Sequence, residues 1–184
     1  AFARMPAPKF AAADAGELLR QAVFAQRVAD PDVTVEIAEP LPDVNLVCDA
    51  RMVGQALANI LKNAGEAIAT RRAGSPVPAG RIITRLVLDG RHLCFEIEDN
   101  GVGLPDRDRD RLTEPYVTTR EKGTGLGLAI VKRILEDHGG ELSLTDAGAL
   151  EGALVTLGFP ATQVSPRAAP QDAVTAGRQS KNGR

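Results

Sequence analysis

Three short stretches of this 184-residue chain combine polar residues and glycines at spacings that suit a phosphate-bearing ligand. One of them, KGTGLGLAIV, runs from Lys122 to Val131 and leads directly into an apolar run typical of a helix. Glycines let backbone N–H groups approach an anion, and the first turn of a helix adds unpaired N–H groups and partial positive charge. Taken alone, the stretch is also compatible with a glycine hinge that binds nothing.

Two common phosphate motifs do not fit this stretch. The dinucleotide fingerprint is G-x-G-x-x-G between a strand and a helix, whereas the spacing here is G-x-G-x-G and the preceding segment is not a buried strand. The P-loop pattern G-x-x-x-x-G-K-[ST] is absent from the sequence. A less specific anion site therefore remains.

The stretch Asp99–Leu104, with the sequence DNGVGL, follows a predicted strand. A carboxylate at a strand end can accept a hydrogen bond from an exocyclic amino group such as that of adenine. Gly101 and Gly103 are predicted to leave room for a flat ring. The alternative is an ordinary Asp-Asn-Gly turn.

The remaining stretch lies on a long predicted helix. Asn59 and Asn63 are four residues apart and share a face, with Glu66 one turn further on. Asn63 falls at the edge of the apolar stripe, beside the small residues Ala56 and Ala67, where a ligand has space. An amide oxygen suits Mg²⁺, which keeps several waters and takes other ligands from phosphates. The alternative is a polar helix shoulder with no ligand.

Hydrophobic periodicity and turn signals predict the elements that must position these stretches. The predicted helices cover about 14–27, 50–71 and 125–138, and the predicted strands 33–37, 46–48, 81–88, 91–98, 141–145 and 153–159. Most strands are joined by hairpins, and Asp89-Gly90 is a two-residue hairpin signal. The fold class is therefore α+β, a two-layer sandwich with one mixed, mostly antiparallel sheet and helices on one face.

Composition narrows the function classes. The chain is 43% hydrophobic and 25% charged, with a net charge of −2, which is ordinary for a folded soluble domain. Aromatic residues make up only 3% and Trp is absent, which disfavours a single-stranded nucleic-acid partner. No apolar run approaches the roughly 18 residues of a membrane span, so no membrane contact is expected. Cys48 and Cys94 are predicted to be reduced, buried thiols.

Taken together and in this order, the three motifs resemble the Bergerat ATP-binding fold of sensor histidine kinases, DNA gyrase, the large heat-shock chaperones and MutL-type proteins. The resemblance to the histidine kinase catalytic domain covers about residues 14–160. The matching segments are Arg51–Ala64 for the N box, Asp99–Leu104 and Gly123–Leu128 for the two glycine boxes, and Gly152–Pro160 for the closing strand. The fold expected from the resemblance agrees with the α+β prediction.

Two segments point to one group within the histidine kinases. One of the two also differs from the usual family sequence. Glu114–Thr119 stands where the family has its F box, although the leading Phe is missing. The same segment and Phe2–Pro6 are similar to nitrogen-regulation sensor kinases. The missing Phe affects the expected packing of the lid but not the expectation that the domain binds nucleotide.

The resemblance implies a role for each matching residue, with ATP and Mg²⁺ as ligands. Asp99 would accept the adenine amino group, with Gly101 and Gly103 beside the ring. Asn63 would hold Mg²⁺, Asn59 would support the phosphates, and Lys62 is a weaker phosphate candidate because it points away from the face of Asn63. The other implied nucleotide contacts are Thr119, Lys122, Gly123, Thr124, Gly125, Leu126 and Gly127, next to a mobile lid over 105–122.

One position favours phosphoryl transfer over hydrolysis. In the gyrase-like hydrolases a glutamate stands one turn before the metal-binding Asn and activates water, but here that place holds Asn59, and an amide is a poor base. The catalytic residues implied are therefore Asn59 and Asn63, in a protein histidine kinase domain. The alternatives are a Bergerat-type ATPase clamp and a degenerate interaction module that binds no nucleotide.

The phosphoacceptor is expected to lie outside this chain. His92 and His138 are the two histidines, and neither has surroundings that resemble the acceptor site of the family. The resemblance implies a histidine-bearing dimerisation domain in the same parent protein and a response regulator as partner. It also implies a cytoplasmic, monomeric fragment of a homodimeric parent anchored in the bacterial inner membrane. Residues 1–13 are predicted to be the stub of the dimerisation helix or a linker, and 161–184 a disordered tail.

Overall fold

A computed structural model describes residues 5–75, 78–115 and 127–167 of the chain. They form two layers, with three helices packed against one face of a sheet, and a second small sheet beside them. The helices are α1 (Ala15–Ala29), α2 (Ala50–Gly74) and α3 (Gly127–Asp137). The strands are β1 (Ala11–Asp14), β2 (Thr34–Ile37), β3 (Val44–Cys48), β4 (Arg81–Leu88), β5 (His92–Asp99), β6 (Glu141–Asp146), β7 (Ala153–Pro160) and β8 (Val164–Pro166).

The larger sheet has five strands in the order β2-β4-β5-β7-β6. Only the β2–β4 pair is parallel, and the other three pairs are antiparallel. The α+β prediction with a mixed, mostly antiparallel sheet is therefore confirmed. The β4–β5 hairpin differs in its turn, because strand β5 begins at His92 and the Asp89 carboxylate accepts hydrogen bonds from the N–H groups of Arg91 and His92.

The second sheet was not predicted. It has three antiparallel strands in the order β1-β3-β8. Its outer strands lie in segments assigned from sequence to a helix stub or linker and to a disordered tail, and those assignments are wrong over Ala11–Ala13 and over residues 161–167. Short Ala-rich and Pro-rich strands carry weak periodicity, so their pairing depends on β3 between them. Residues 168–184 lie outside the described part of the chain.

The helix starts follow the sequence signals closely. Asp14 and Asp49 cap α1 and α2 by accepting hydrogen bonds from the N–H groups of Glu17 and Met52, as predicted. The apolar stripes of the helices pack on the inner face of the sheet, where Phe95 and Phe159 are fully buried edge to face at 5.8 Å. This core sets the position of α2 over β5, on which the site depends.

His138 is a structural residue at the end of α3. It is 1% exposed, its Nε2 accepts a hydrogen bond from the N–H of Asp49 at 3.0 Å, and its Nδ1 lies 2.7 Å from the carbonyl oxygen of Ile134. Because a carbonyl only accepts, these contacts define the neutral imidazole with the proton on Nδ1.

The two cysteines, Cys48 and Cys94, are free thiols. Cys48 is buried as predicted, whereas Cys94 is only half-buried.

Candidate nucleotide-binding site

Helix α2 carries the polar residues predicted to handle phosphate and metal. Asn59, Asn63 and Glu66 are half-buried along one edge of the helix, between its buried stripe and solvent. Lys62 is exposed, in line with its prediction as the weaker candidate. Ala67 is buried one turn beyond Asn63, so the two side chains share a face and lie roughly 6 Å apart.

The loop after β5 is attached to the same face of α2. The N–H of Val102 donates to the carbonyl oxygen of Ala67 at 3.1 Å, and Arg71 donates from Nη1 to the carbonyl oxygen of Asn100 at 2.9 Å. A Cβ on Gly101 would lie 2.6 Å from the Cβ and carbonyl carbon of Ala67. Gly101 is thus a glycine because it packs on the helix. The predicted contact of Gly101 with a flat ring stays a prediction.

Asp99 is held in a defined orientation at the end of β5. The residue is 3% exposed, and its Oδ1 accepts hydrogen bonds from the N–H of Gly101 at 2.8 Å and the N–H of Ala153 at 3.3 Å. Gly103 follows with φ of +80°, a backbone conformation that suits glycine. A buried carboxylate held by backbone N–H groups is a preorganised hydrogen-bond acceptor.

The start of α3 lies next to Asn63, the predicted metal ligand on α2. A Cβ on Gly127 would lie 3.9 Å from both the oxygen and the nitrogen of the Asn63 side-chain amide. The first described residue of α3 therefore faces Asn63, and the Asp99 loop contacts α2 one turn away. Helix α2 brings together representatives of all three sequence motifs.

Part of the predicted site lies outside the described residues. The residues in this group are Thr119, Lys122, Gly123, Thr124, Gly125 and Leu126, together with the end of the predicted lid, residues 116–122. Within 105–115 the chain forms a 3-10 turn over Arg109–Thr113, which was not predicted from the sequence. Among the described residues, no group of three or more His, Cys, Asp and Glu side chains could hold a metal ion.

Three residues that support the Asp99 loop were missed from the sequence. Asn100 is buried, accepts a hydrogen bond from the N–H of Arg81 at 2.8 Å and donates to the carbonyl oxygen of Ala79 at 2.7 Å. Gly152 packs against Asp99 so closely that a Cβ there would lie 2.8 Å from the Asp99 carbonyl carbon. Glu98 anchors the turn before Gly152. The sequence signal for Gly152 was its place at the start of the closing strand.

Glu98 is a buried charge with several partners. Its Oε2 lies 2.8 Å from Nη2 of Arg85, and its Oε1 accepts from the N–H groups of Ala149 and Leu150 at 3.0 and 3.1 Å. Burial pushes the pKa of this carboxyl upward, but Arg85 and the two backbone N–H groups together hold the pKa below its ordinary value. The carboxylate is therefore charged at neutral pH.

A cleft of about 450 Å³ lies beside α3. It is formed by the 3-10 turn, α3 and β6, with Leu135, Leu142 and Leu144 among its lining residues and charged side chains such as Arg109 and Lys132 around them. Arg109 is already paired with Asp146 at 2.9 Å. None of the predicted site residues that the structure describes lines this cleft.

Comparison with known proteins identifies the family. Residues 48–163 match the family described as histidine kinase-, DNA gyrase B- and HSP90-like ATPases. The chain belongs to this ATPase family. The match spans α2, the Asp99 loop, α3 and the closing strand β7, which are the elements that build the site.

Individual relatives place the ATPase-family domain among histidine kinases. It is 48% identical over 179 residues to the nitrogen regulation protein NtrY of Azorhizobium caulinodans, which covers 95% of this chain and 22% of that protein. It is 37% identical over 129 residues to sporulation kinase B of Bacillus subtilis, and the match covers 70% of this chain and 28% of that protein. The chain thus spans about a quarter of the length of these relatives.

Solved structures support the same placement. The mycobacterial sensor histidine kinase MprB superposes with a TM-score of 0.69 at 26% identity, covering 82% of this chain and 97% of that one. The ATP-binding domain of PrrB from Mycobacterium tuberculosis gives a TM-score of 0.66 at 26% identity, covering 83% and 97%. The chain is therefore a histidine kinase ATP-binding catalytic domain. Among its described residues, no helix has the length and apolar character required to cross a bilayer.

Proposed function

We propose that this domain binds Mg·ATP between α2, the Asp99 loop and the start of α3. The observation that carries the proposal is the shared face of α2, where Gly127 meets Asn63 and Gly101 meets Ala67 one turn away. Asp99 accepts the exocyclic amino group of adenine, and Asn59 supports the phosphates. Asn63 holds Mg²⁺ through its amide oxygen, and the bound ion neutralises charge on the phosphates. The predicted contacts in 119–126 complete this assignment.

We infer that the reaction is transfer of the γ-phosphoryl group to a histidine outside this chain. Phosphoryl transfer rests on positioning and charge neutralisation, so the domain need not supply a base. Asn59 occupies the place where a hydrolase needs a carboxylate to activate water, and its amide is not a useful base. His138 is buried with both ring nitrogens engaged, which makes it unsuitable as an acceptor. The relatives that are named as sensor kinases support this assignment.

The partners follow from the same assignment. The acceptor histidine is proposed to lie on a dimerisation domain of the parent protein, and a response regulator is proposed to receive the phosphoryl group. The dimeric state of the parent and its anchoring in the inner membrane remain predictions from the resemblance.

Calorimetry tests the site assignment. Wild-type protein is titrated with ADP with and without Mg²⁺, beside Asn63→Ala and the surface control Arg72→Ala, which removes an exposed cation of α2 outside the three motifs. Asn63→Ala is expected to lose the Mg²⁺ dependence, while Arg72→Ala changes affinity little. Equal Mg²⁺ dependence in wild type and Asn63→Ala would remove Asn63 from the metal site.

Nucleotide selectivity tests the adenine role. Asp99→Asn is expected to lower the preference for ATP over GTP about tenfold or more, because the amide can donate where the carboxylate only accepts. An Asp99→Asn variant with unchanged preference would contradict the adenine assignment. Steady phosphate release by the isolated chain would instead favour an ATPase.

A further inference from the structure

The turn between β6 and β7 lies directly behind the proposed adenine contact. The N–H of Ala153 donates to Oδ1 of Asp99 at 3.3 Å, so the first residue of β7 helps to orient the carboxylate. Gly152 approaches Asp99 so closely that any side chain there would collide with its carbonyl group and with Oδ1. The position of this turn therefore determines where Asp99 can place its carboxylate.

The turn is held in a strained conformation. Glu151 has φ of +66°, a left-handed conformation that costs free energy in any residue other than glycine. A hydrogen bond from the N–H of Ala147 to the carbonyl oxygen of Gly152, at 2.9 Å, closes the turn. Such a conformation persists only where the surroundings over-determine it. Strand β5 supplies part of these surroundings, and Arg71 of α2 lies 4.0 Å from the Glu151 carboxylate.

Glu98 is the residue that joins the turn to β5. Its Oε1 accepts the N–H groups of both Ala149 and Leu150, while its Oε2 is paired with Arg85 on the neighbouring strand. Glu98 directly precedes Asp99 on β5, and the residue is 3% exposed. Successive side chains of a strand point to opposite faces of the sheet. Glu98 therefore binds the turn on one face of β5, while Asp99 binds Ala153, just after the turn, on the other.

We propose that Glu98 is a positioning residue for Asp99, which it influences through the 147–152 turn, and that it thereby contributes to the selection of adenine over guanine. This inference rests on the proposed function of Asp99 as the adenine contact. Glu98 does not touch the base; it fixes the turn whose Gly152 and Ala153 orient the Asp99 carboxylate. Loss of the anchor lets the turn relax and broadens the orientations of that carboxylate.

The neighbouring Glu96 provides a matched control. It lies two residues earlier on β5, and its Oε1 is 3.8 Å from Nη1 of the same Arg85. Within the described part of the chain, it makes no hydrogen bond to the 147–152 turn. Glu96→Ala therefore removes a carboxylate from the same strand face without removing the anchor.

The experiment measures the dissociation constants of Mg·ADP and Mg·GDP for the full chain and its variants, with folding checked by circular dichroism. Glu98→Ala is expected to lower the ratio of GDP to ADP dissociation constants about tenfold, because charge-assisted hydrogen bonds that orient the contact are lost. Glu98→Gln is expected to recover most of the ratio, since its amide oxygen can still accept the two N–H groups. Glu96→Ala is expected to leave the ratio unchanged.

A second variant tests the same contact from the turn. Gly152→Ala places a methyl group against Asp99 and is expected to lower the ratio at least as much as Glu98→Ala. If Glu98 had only a structural role, both variants would bind the two nucleotides more weakly by the same factor, and the ratio of dissociation constants would stay unchanged.

The outcomes separate this inference from the proposed function. If wild type discriminates and Asp99→Asn loses discrimination while both Glu98→Ala and Gly152→Ala retain it, only the positioning role fails. An equal loss in Glu96→Ala would likewise overturn it. If wild type binds neither nucleotide, the proposed function fails and this inference fails with it.

Discussion

At the scale of single residues, close approach to neighbouring atoms explains two of the glycines near the candidate site. Gly101 and Gly152 each lie where a Cβ would collide with backbone, the first on α2 and the second on Asp99. Both contacts join the Asp99 loop to its supports. Backbone atoms at such positions cannot move away as the end of a flexible side chain can, so substitution must shift the loop itself.

Gly101→Ala is expected to destabilise the domain by about 1–3 kcal/mol, because the added methyl group overpacks the contact with Ala67. Gly54→Ala is the control. Gly54 lies within α2, and a Cβ added there would have no neighbouring atom within 4 Å. That control should stabilise the helix by about 0.5–1 kcal/mol. Urea unfolding measures both, and similar free energies of unfolding in the two variants would refute the packing role of Gly101.

Glu98 should make the stability of the domain depend on pH in the acid range. Its pKa is lowered from the ordinary value of 4.5, with the upward push of burial outweighed by Arg85 and the turn N–H groups. The folded state therefore gains stability from the charged form above the unfolded pKa and loses it as pH falls through the folded pKa. Glu98→Gln should be less stable than wild type at pH 7, with the difference shrinking in acid. A difference that stays constant down to pH 3 would contradict this.

At the scale of elements, α2 organises the site and β8 completes the small sheet. Gln163 donates to the carbonyl oxygen of His138 at 2.8 Å, which ties the residues after β7 to the end of α3. Arg167 lies 2.8 Å from Asp14 and 3.3 Å from Asp43, and so joins the cap of α1 to the start of β3. The segment after Pro160 is thus part of the folded unit.

A chain that ends at Pro160 is expected to lose roughly 2–4 kcal/mol of unfolding free energy, because several backbone and side-chain hydrogen bonds of about 1 kcal/mol each are removed. A chain that ends at Arg167 keeps every described contact and serves as the control. Thermal unfolding compares the two, and equal midpoints would show that β8 adds no stability.

At the scale of the whole molecule, the N-terminal segment is packed on the catalytic domain. The small sheet draws the N-terminal segment onto the domain: the N–H of Lys9 donates to Oδ2 of Asp49 at 2.8 Å, and the Phe10 ring lies 5.1 Å from that of His138. Whatever precedes β1 in the parent protein is therefore joined to a segment that is packed on the catalytic domain.

The isolated chain incubated with radiolabelled ATP is expected to gain no acid-labile phosphate, because His138 is buried and engaged at both nitrogens. Addition of a dimerisation domain that carries the acceptor histidine should restore labelling of that added domain. Phosphohistidine formed on the isolated chain, mapped by mass spectrometry to His92 or His138, would contradict the assignment of the acceptor outside it.

The sequence by itself determined the long elements and the identity of the motifs. Helix α2 and strands β4 and β7 could be predicted because periodicity, caps and turn residues are local. Asn63 and Asp99 could be proposed as site residues because their residue types and order are specific. The tertiary structure alone decided what lies beside them. The anchoring by Glu98, the packing reasons for Gly101 and Gly152, and the β1-β3-β8 sheet all depend on contacts between residues far apart in the chain. Those contacts leave no local pattern, since they form only when α2 and the strands are already packed together.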